Sequence, residues 1–467
     1  MSTAFDELMA VRARPEDPSA TITGADPVYS TRFRLAETAA GIMAACGVAA
    51  SDIWEMKSGR RQSVSVDVRH AGAAINCSEH MQVQQADGSF LAPGDSPLAQ
   101  TAYQCIQPFP TRDGRYFLPH IGIKHLKEKV LGILGCEATP AEVAKAIAKW
   151  DAQELEDAIA AAGACGGITR TAEEWLAHPQ GQALAAQAVV EIEKVADSDP
   201  EPFPADGLAD GRPLAGLRVL DLTRVLAGPV AAKTLAEHGA DVLMIGAKHV
   251  PQFKKYVMDL SPGKRSTFLD MRDAEQAEQL RNLVRQADVF SQGYRPGALG
   301  KHGFGVEDLT ALRPGLIYTS INCYGQTGPF SDRAGWEQVA QSVTGICHEN
   351  GTPPALLPVP VCDYTTGYLG AYGTMLALAR RAREGGSYHV KVSLCQTAMF
   401  IQRQGRVDYP AADMDLAPTE IDPLLIEHAS SYGRLRQLGP LVRVSETKPG
   451  WQAGPPALGG DEARWLA

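Results

Sequence analysis

Asp363 stands at the join of two unlike stretches, the apolar LLPVPVC before it and the small-residue run TTGYLGAYG after it. The first reads as a strand and the second as a helix, so the carboxylate falls at a strand tip, where α/β proteins place chemistry. A strand tip is also where a helix N-cap would sit, its side-chain oxygen taking a backbone N–H. Other candidates are weaker. His348 in GICHENG could serve as a base, but a lone loop histidine ordinarily faces solvent. SPGKRS (261–266) resembles a phosphate loop, yet Met258 stands where the Walker spacing needs Gly and Arg265 where it needs Ser or Thr. No G-x-G-x-x-G follows a predicted strand, and G-x-S-x-G and H-E-x-x-H are absent. The nine cysteines (46, 77, 105, 136, 165, 323, 347, 362, 395) are scattered with no C-x-x-C pair, which argues against zinc and against a disulfide framework.

The elements that must position Asp363 follow from hydrophobic periodicity. LRVLDL (217–222), ADVLMI (240–245), STFLDM (266–271), ADVFSQ, LIYTSINCYG and LLPVPVCD read as strands. VAAKTLAEHG (230–239) and DAEQAEQLRNLVRQ (273–286, with Asp273 as N-cap) read as helices between them. Apolar strands alternating with amphipathic helices predict a parallel sheet covered on both faces, with ligands beyond the C-terminal strand ends. SGRRQSVSVDVRHAGAAI (58–75) echoes EGGSYHVKVSLCQTAMFI (384–401), each after a helix of small residues (36–48 and 367–382), as a decayed duplication or shuffled half-domain would. SDPEPFPADGLADGRP (198–213) reads as a linker, and DYPAADMDLAPTEIDP (408–423) as a second. The expected division is 1–197, linker 198–213, 214–407, and a linker and tail over 408–467 lying on the surface.

The chain has 467 residues, 45% hydrophobic and 21% charged, enough for two or three soluble domains. A net charge of −10 excludes a nucleic-acid footprint overall, and no run approaches a membrane span. MSTAFDELMAVRARPEDPSA has acids where a secretory signal has an apolar core, so a reduced, cytoplasmic protein is expected.

The motifs carry a resemblance. LAGLRVLDLTRVLAGPVAAKTLAEHGADVLMI (214–245), GKRSTFLDM, YRPGALGKHGFG, YTSINCYGQTGPFSDRAGWEQVAQSVTG and VPVCDYTTGYLGAYG resemble the class III CoA-transferases, the formyl-CoA and carnitine CoA-transferase group, over roughly 214–405. DGRYFLPHIGIKHLKEKVLGILG and AAAGACGGITRTAEEWLAHPQGQALAAQ resemble the family's small domain, so its C-terminal half stands first in the chain. The resemblance implies a Rossmann-like large domain with a smaller α/β domain, and Asp363 as a nucleophile on an acyl-CoA thioester. It implies no metal and no permanently bound cofactor, with coenzyme A and its acyl thioester as substrate beside a carboxylic acid, and a homodimer. Leu226 and Ala227 would offer backbone to CoA. Leu269, Asp270, Met271 and Arg272 would line an adenine slot. Gly293, Tyr294, Arg295, Lys301, Lys264 and Arg265 would stand near the phosphates. Gly367, Gly370 and Gly373 would let the CoA chain approach closely. After ADVLMI, Gly246 and Ala247 stand where the family usually has an acidic residue followed by a phosphate-binding arginine or prolines, with Lys248 as a substitute cation. Gly325 and Gly328 read as a structural turn. Trp336, Tyr364 and the small domain would shape the acyl pocket.

Two alternatives compete with transfer. Racemases of the same family need two acid/base groups, and have a histidine where Trp336 stands here; an indole takes up no proton near neutral pH. A non-catalytic CoA-binding protein is the other, supported by the reordered halves and the missing arginine.

Overall fold

The computed structural model describes residues 3–14, 18–94, 97–204, 211–409 and 416–466. Seven strands form its main sheet: β1 (Glu191–Ala196), β2 (Arg218–Leu222), β3 (Asp241–Gly246), β4 (Lys264–Phe268), β5 (Val289–Gln292), β6 (Ile317–Asn322) and β7 (Ser387–Ser393). Their spatial order is β4-β3-β2-β5-β6-β7-β1. β2 to β7 pair in parallel and β1 closes one edge antiparallel on β7. The central strands are buried along their length, their polar residues Ser291, Gln292, Thr319 and Ser320 included. Chain direction across the sheet reverses between β2 and β5, and a crevice opens there beyond the strand ends.

Four helices matter for the site: α1 (Leu35–Ser58), α2 (Ala227–Glu237), α3 (Glu337–Val343) and α4 (Val361–Glu384). The helix Ala274–Val284 begins as read, with Asp273 accepting the backbone N–H of Gln276. β4 starts two residues before the predicted STFLDM, because Lys264 is paired inside the sheet and Leu269 to Met271 lie beyond its tip.

LLPVPVCD is not a strand. Pro358 and Pro360 have no N–H to give a ladder, and α4 begins directly after Pro360, placing Asp363 in its first turn. Asp363 is therefore not the N-cap either; Pro360 occupies that position.

The echo between the two halves of the chain is visible in three dimensions. α1 leads through Val64–Asp67 to the helix Val68–Ala74, and α4 leads through β7 to the helix Leu394–Arg403; α1 and α4 each have 24 residues. The two long helices pack together, with the Cys46 thiol on the Tyr368 carbonyl. The expected boundary at 198–213 divides the chain but not the core, since β1 completes the main sheet and one buried cluster draws on both sides of the boundary. Glu201 holds Arg313 at 2.6 Å, so this stretch is fastened down; its residues 205–210 lie outside those described. Nor does the tail merely lie on the surface. Leu425–Ser430 and Gly433–Leu438 form a hairpin on Gln82–Gln84, Arg443–Val444 pairs with Val64–Asp67, and the buried Trp465 indole donates to the Leu283 carbonyl.

Gly367 serves helix packing and not the approach of a ligand. A Cβ there would lie 2.4 Å from the Ala227 carbonyl, so α4 crosses α2 at a distance only glycine permits. Gly370 and Gly373 likewise face Ile321 and Val190. Among the described residues no helix is long and apolar enough to cross a membrane.

Candidate active site

A cleft of about 270 Å³ opens at the β2/β5 switch. Its floor is the turn from β2 into α2. In that turn Val225 has φ 72°, a conformation that costs a β-branched residue energy and persists only where its surroundings enforce it. The enforcing contacts start in β2. Asp221, wholly buried, accepts from the backbone N–H and hydroxyl of Thr223 and from Lys264 Nζ at 2.9 Å. Lys264 Nζ also donates to the Pro229 carbonyl at 3.0 Å, tying the turn to the start of α2. The β5 tip is fixed similarly: the Gln292 side chain accepts the Tyr294 N–H at 2.7 Å and donates to Ser320 Oγ at 2.9 Å.

Asp363 lies in the wall of this cleft, 9% exposed, and its carboxylate accepts the Ala227 backbone N–H. No cation pairs with it among the described residues. Glu337, the first residue of α3, caps α4 instead. Its carboxylate accepts the N–H of Cys362 at 3.2 Å, that of Asp363 at 2.5 Å and the Gln341 amide at 2.6 Å. Burial pushes both carboxyls up, and the charge of Glu337 pushes Asp363 further. They titrate as a unit. Glu337 takes donors from three residues and Asp363 from one, so Glu337 is the better-stabilised anion.

A titration follows from this arrangement. Only ionised Asp363 is a nucleophile, so activity should fall as pH drops through its raised pKa. Glu337→Gln removes the like charge, and the acid limb of kcat/KM should move to lower pH. An unmoved limb in the variant would show that Asp363 does not set it.

The structure sorts the other sequence-derived candidates. Leu226, Ala227, Gly293, Tyr294, Arg295 and Trp336 line the cleft with Asp363. Lys264 is removed from any ligand by its buried pair with Asp221. Arg265 is likewise spoken for, by Asp241 at 2.9 Å and by the Arg464 carbonyl. Leu269, Asp270, Met271 and Arg272 follow the β4 tip outside the cleft, Leu269 buried in the core and Arg272 folded onto Asp270 at 2.7 Å, whose carboxyl it holds well below the usual range. Lys301 is exposed on the short turn Gly300–His302, away from the cleft. Tyr364 does not shape the cleft: its hydroxyl is buried against Ser78 Oγ at 3.0 Å, in a network ending on Asp259. Lys248 and His348 are exposed outside the cleft. Gly325 and Gly328 sit at φ 84° and 89° in a turn, the Gly328 loop held by Gln180.

Sequence reading missed Glu337 and Arg224, and it expected the small domain at the pocket without naming the residues that reach it. His125, Leu126, Lys129 and Gly163 line its mouth, and the buried His120 stacks on Trp336 at 5.7 Å. Arg224 has no ion pair among the described residues and stands near Tyr294. Arg333 lies over the Phe330 ring at 3.7 Å and is paired with the buried Glu156 at 3.6 Å. The cleft thus offers an uncompensated carboxylate in its wall and arginines with Lys129 at its mouth, an arrangement suited to a reactive acyl group attached to a phosphorylated carrier.

Residues 5–205 and 214–422 both match the description "CoA-transferase family III". A protein named acyl-CoA transferase from Gibberella moniliformis is 29% identical, the match covering 84% of this chain and 81% of that one. Succinyl-CoA:glutarate CoA-transferase from Mus musculus is 33% identical over 44% of this chain, which spans 54% of the mouse protein, about half its length. A solved structure of a CAIB/BAIF family protein from Brucella suis is 30% identical, covering 48% of this chain and 65% of that one, at a TM-score of 0.39. On the match that runs through both segments, the chain belongs to CoA-transferase family III.

Proposed function

We propose that the chain exchanges coenzyme A between carboxylic acids through a covalent intermediate on Asp363. The observation that carries this is the carboxylate itself: buried, without a cation, raised in pKa, and set in the wall of a cleft at the sheet's switch point. An Asp363 oxygen attacks the thioester carbonyl, the C–S bond breaks, and the CoA thiolate leaves a mixed anhydride. The thiolate attacks the aspartyl carbonyl, the anhydride C–O bond breaks, and the first acid departs as its carboxylate. An incoming carboxylate then attacks the aspartyl thioester and the two steps run in reverse, with no net proton taken up. The Ala227 N–H that now meets the carboxylate is placed to hold charge developing on the aspartyl oxygen. Arg224, Arg295 and Lys129 would meet the CoA phosphates.

On this reading the donor is an acyl-CoA and the acceptor a carboxylic acid. The chain would work as a homodimer in the reducing cytoplasm, on a Rossmann-like domain. Residues 1–197 would supply the family's small domain, placed first. Support for that order comes from the two matched segments, 5–205 and 214–422, and from the fungal relative's match over 84% of the chain.

Intact-protein mass after incubation with a panel of acyl-CoAs and quenching in hydroxylamine tests the covalent route. A hydroxamate mapped to Asp363 is expected. Measurable CoA binding with no adduct, or an adduct on another residue, would overturn it.

A further inference from the structure

A second, larger cavity of about 680 Å³ shares a wall with the active-site cleft. Trp336 and Asp363 face the cleft, whereas Glu337, Gln338, Gln341 and the segment 356–360 that leads into α4 face the cavity. The carboxylate of Glu337 accepts the Asp363 N–H, so the inner end of the cavity lies one side chain from the nucleophile. Its volume is in the range that encloses whole small molecules, several hundred Å³.

The lining decides what would fit. Val83, Phe253, Met258, Leu356, Leu357 and Val359 contribute hydrocarbon, and Tyr256 and Tyr432 contribute aromatic rings. The charges are few. Lys255 is neutralised by Glu79 at 2.6 Å, and Lys254 is exposed at the rim, 5.9 Å from the Tyr432 ring. Glu337 is the acidic group at the inner end. A dicarboxylate lodged here would bring its second carboxylate into apolar surroundings beside Glu337, with no buried cation among the described lining residues to receive it.

We infer that the acid exchanged at Asp363 carries a bulky, uncharged hydrocarbon group, and that this cavity receives it. The inference rests on the transfer reading above. The thioester and CoA occupy the cleft, and the substituent on the acyl carbon passes Glu337 and Gln338 into the apolar space. Glu337 then has two duties, holding the start of α4 and excluding acids charged at the far end.

Isotope exchange between each labelled free acid and its own CoA thioester tests this without a known donor pair. Acetate, succinate, butyrate, hexanoate and octanoate form the panel. Each added methylene should raise kcat/KM by about fourfold until the cavity fills, and succinate should exchange on the order of a hundredfold below octanoate. Leu356→Trp, at a half-buried wall position, should reduce the octanoate-to-butyrate ratio by about tenfold or more. Phe253→Ala, which enlarges the space, should shift the optimum to longer acids and serves if the tryptophan variant does not fold. Succinate or acetate exchanging faster than octanoate, or wall variants that leave the ratio unchanged, would overturn the cavity assignment with transfer intact. No exchange with any thioester and no Asp363 hydroxamate would overturn both.

Discussion

Asp363→Asn is expected to lower CoA exchange by roughly a thousandfold or more while leaving the fold and CoA binding in place. An amide oxygen does not attack a thioester, and removing a covalent nucleophile typically costs several orders of magnitude. The substitution is otherwise gentle. The backbone N–H that Glu337 accepts is untouched, and an Asn side-chain oxygen can still accept from Ala227. It also removes one of two like charges from a buried site, so thermal stability should hold or rise slightly. The measurement pairs steady-state exchange with CoA affinity. Retention of activity within tenfold of the parent would remove Asp363 from the chemistry; loss of activity together with loss of CoA binding would show that it acts as a structural group.

Asp363 was legible in the sequence, but its setting was not. Periodicity identified β2, β3, β5 and β6, because those strands are buried and each carries a short apolar stretch that the sheet encloses. It misread LLPVPVCD, whose apolar residues fill core positions as an irregular segment, since Pro358 and Pro360 have no N–H for a sheet. That misreading concealed Glu337. A helix beginning at Val361 leaves its first N–H groups unsatisfied, and with Pro360 at the N-cap the acceptor had to come from elsewhere; it came from 26 residues upstream. The cations were misassigned for a related reason. Charge type is visible in a sequence, but which charges are already paired is not. Lys264 and Arg265 answer Asp221, two strands away in β2, and Asp241 on the adjacent β3, whereas Arg224, passed over in TRVLAGP, stands at the cleft without an ion pair among the described residues. The contribution of His125 and Lys129 was hidden because they meet the cleft only through tertiary folding.

Lys264→Met is expected to destabilise the protein by about 3–5 kcal/mol, the usual cost of stranding the other member of a buried ion pair. Both side chains are wholly buried, and with the ammonium gone the Asp221 carboxylate keeps only its two Thr223 donors. Asp221 also shapes the turn that carries strained Val225 and the Ala227 N–H, so the loss should reach activity as well as melting temperature. Adding Asp221→Asn should recover much of the stability, because the amide oxygen still accepts from Thr223 and no charge remains to be compensated. Thermal unfolding of the parent, both single variants and the pair forms the double-mutant cycle that reads the coupling. Had Lys264 been a phosphate ligand, as its place in GKRSTFLDM suggested, the single variant would instead raise KM for acyl-CoA and leave the melting temperature unchanged. That outcome would overturn the assignment of Lys264 to the framework; a lowered melting temperature rescued by Asp221→Asn would fix its role as the fastening between β4, the β2 turn and the start of α2.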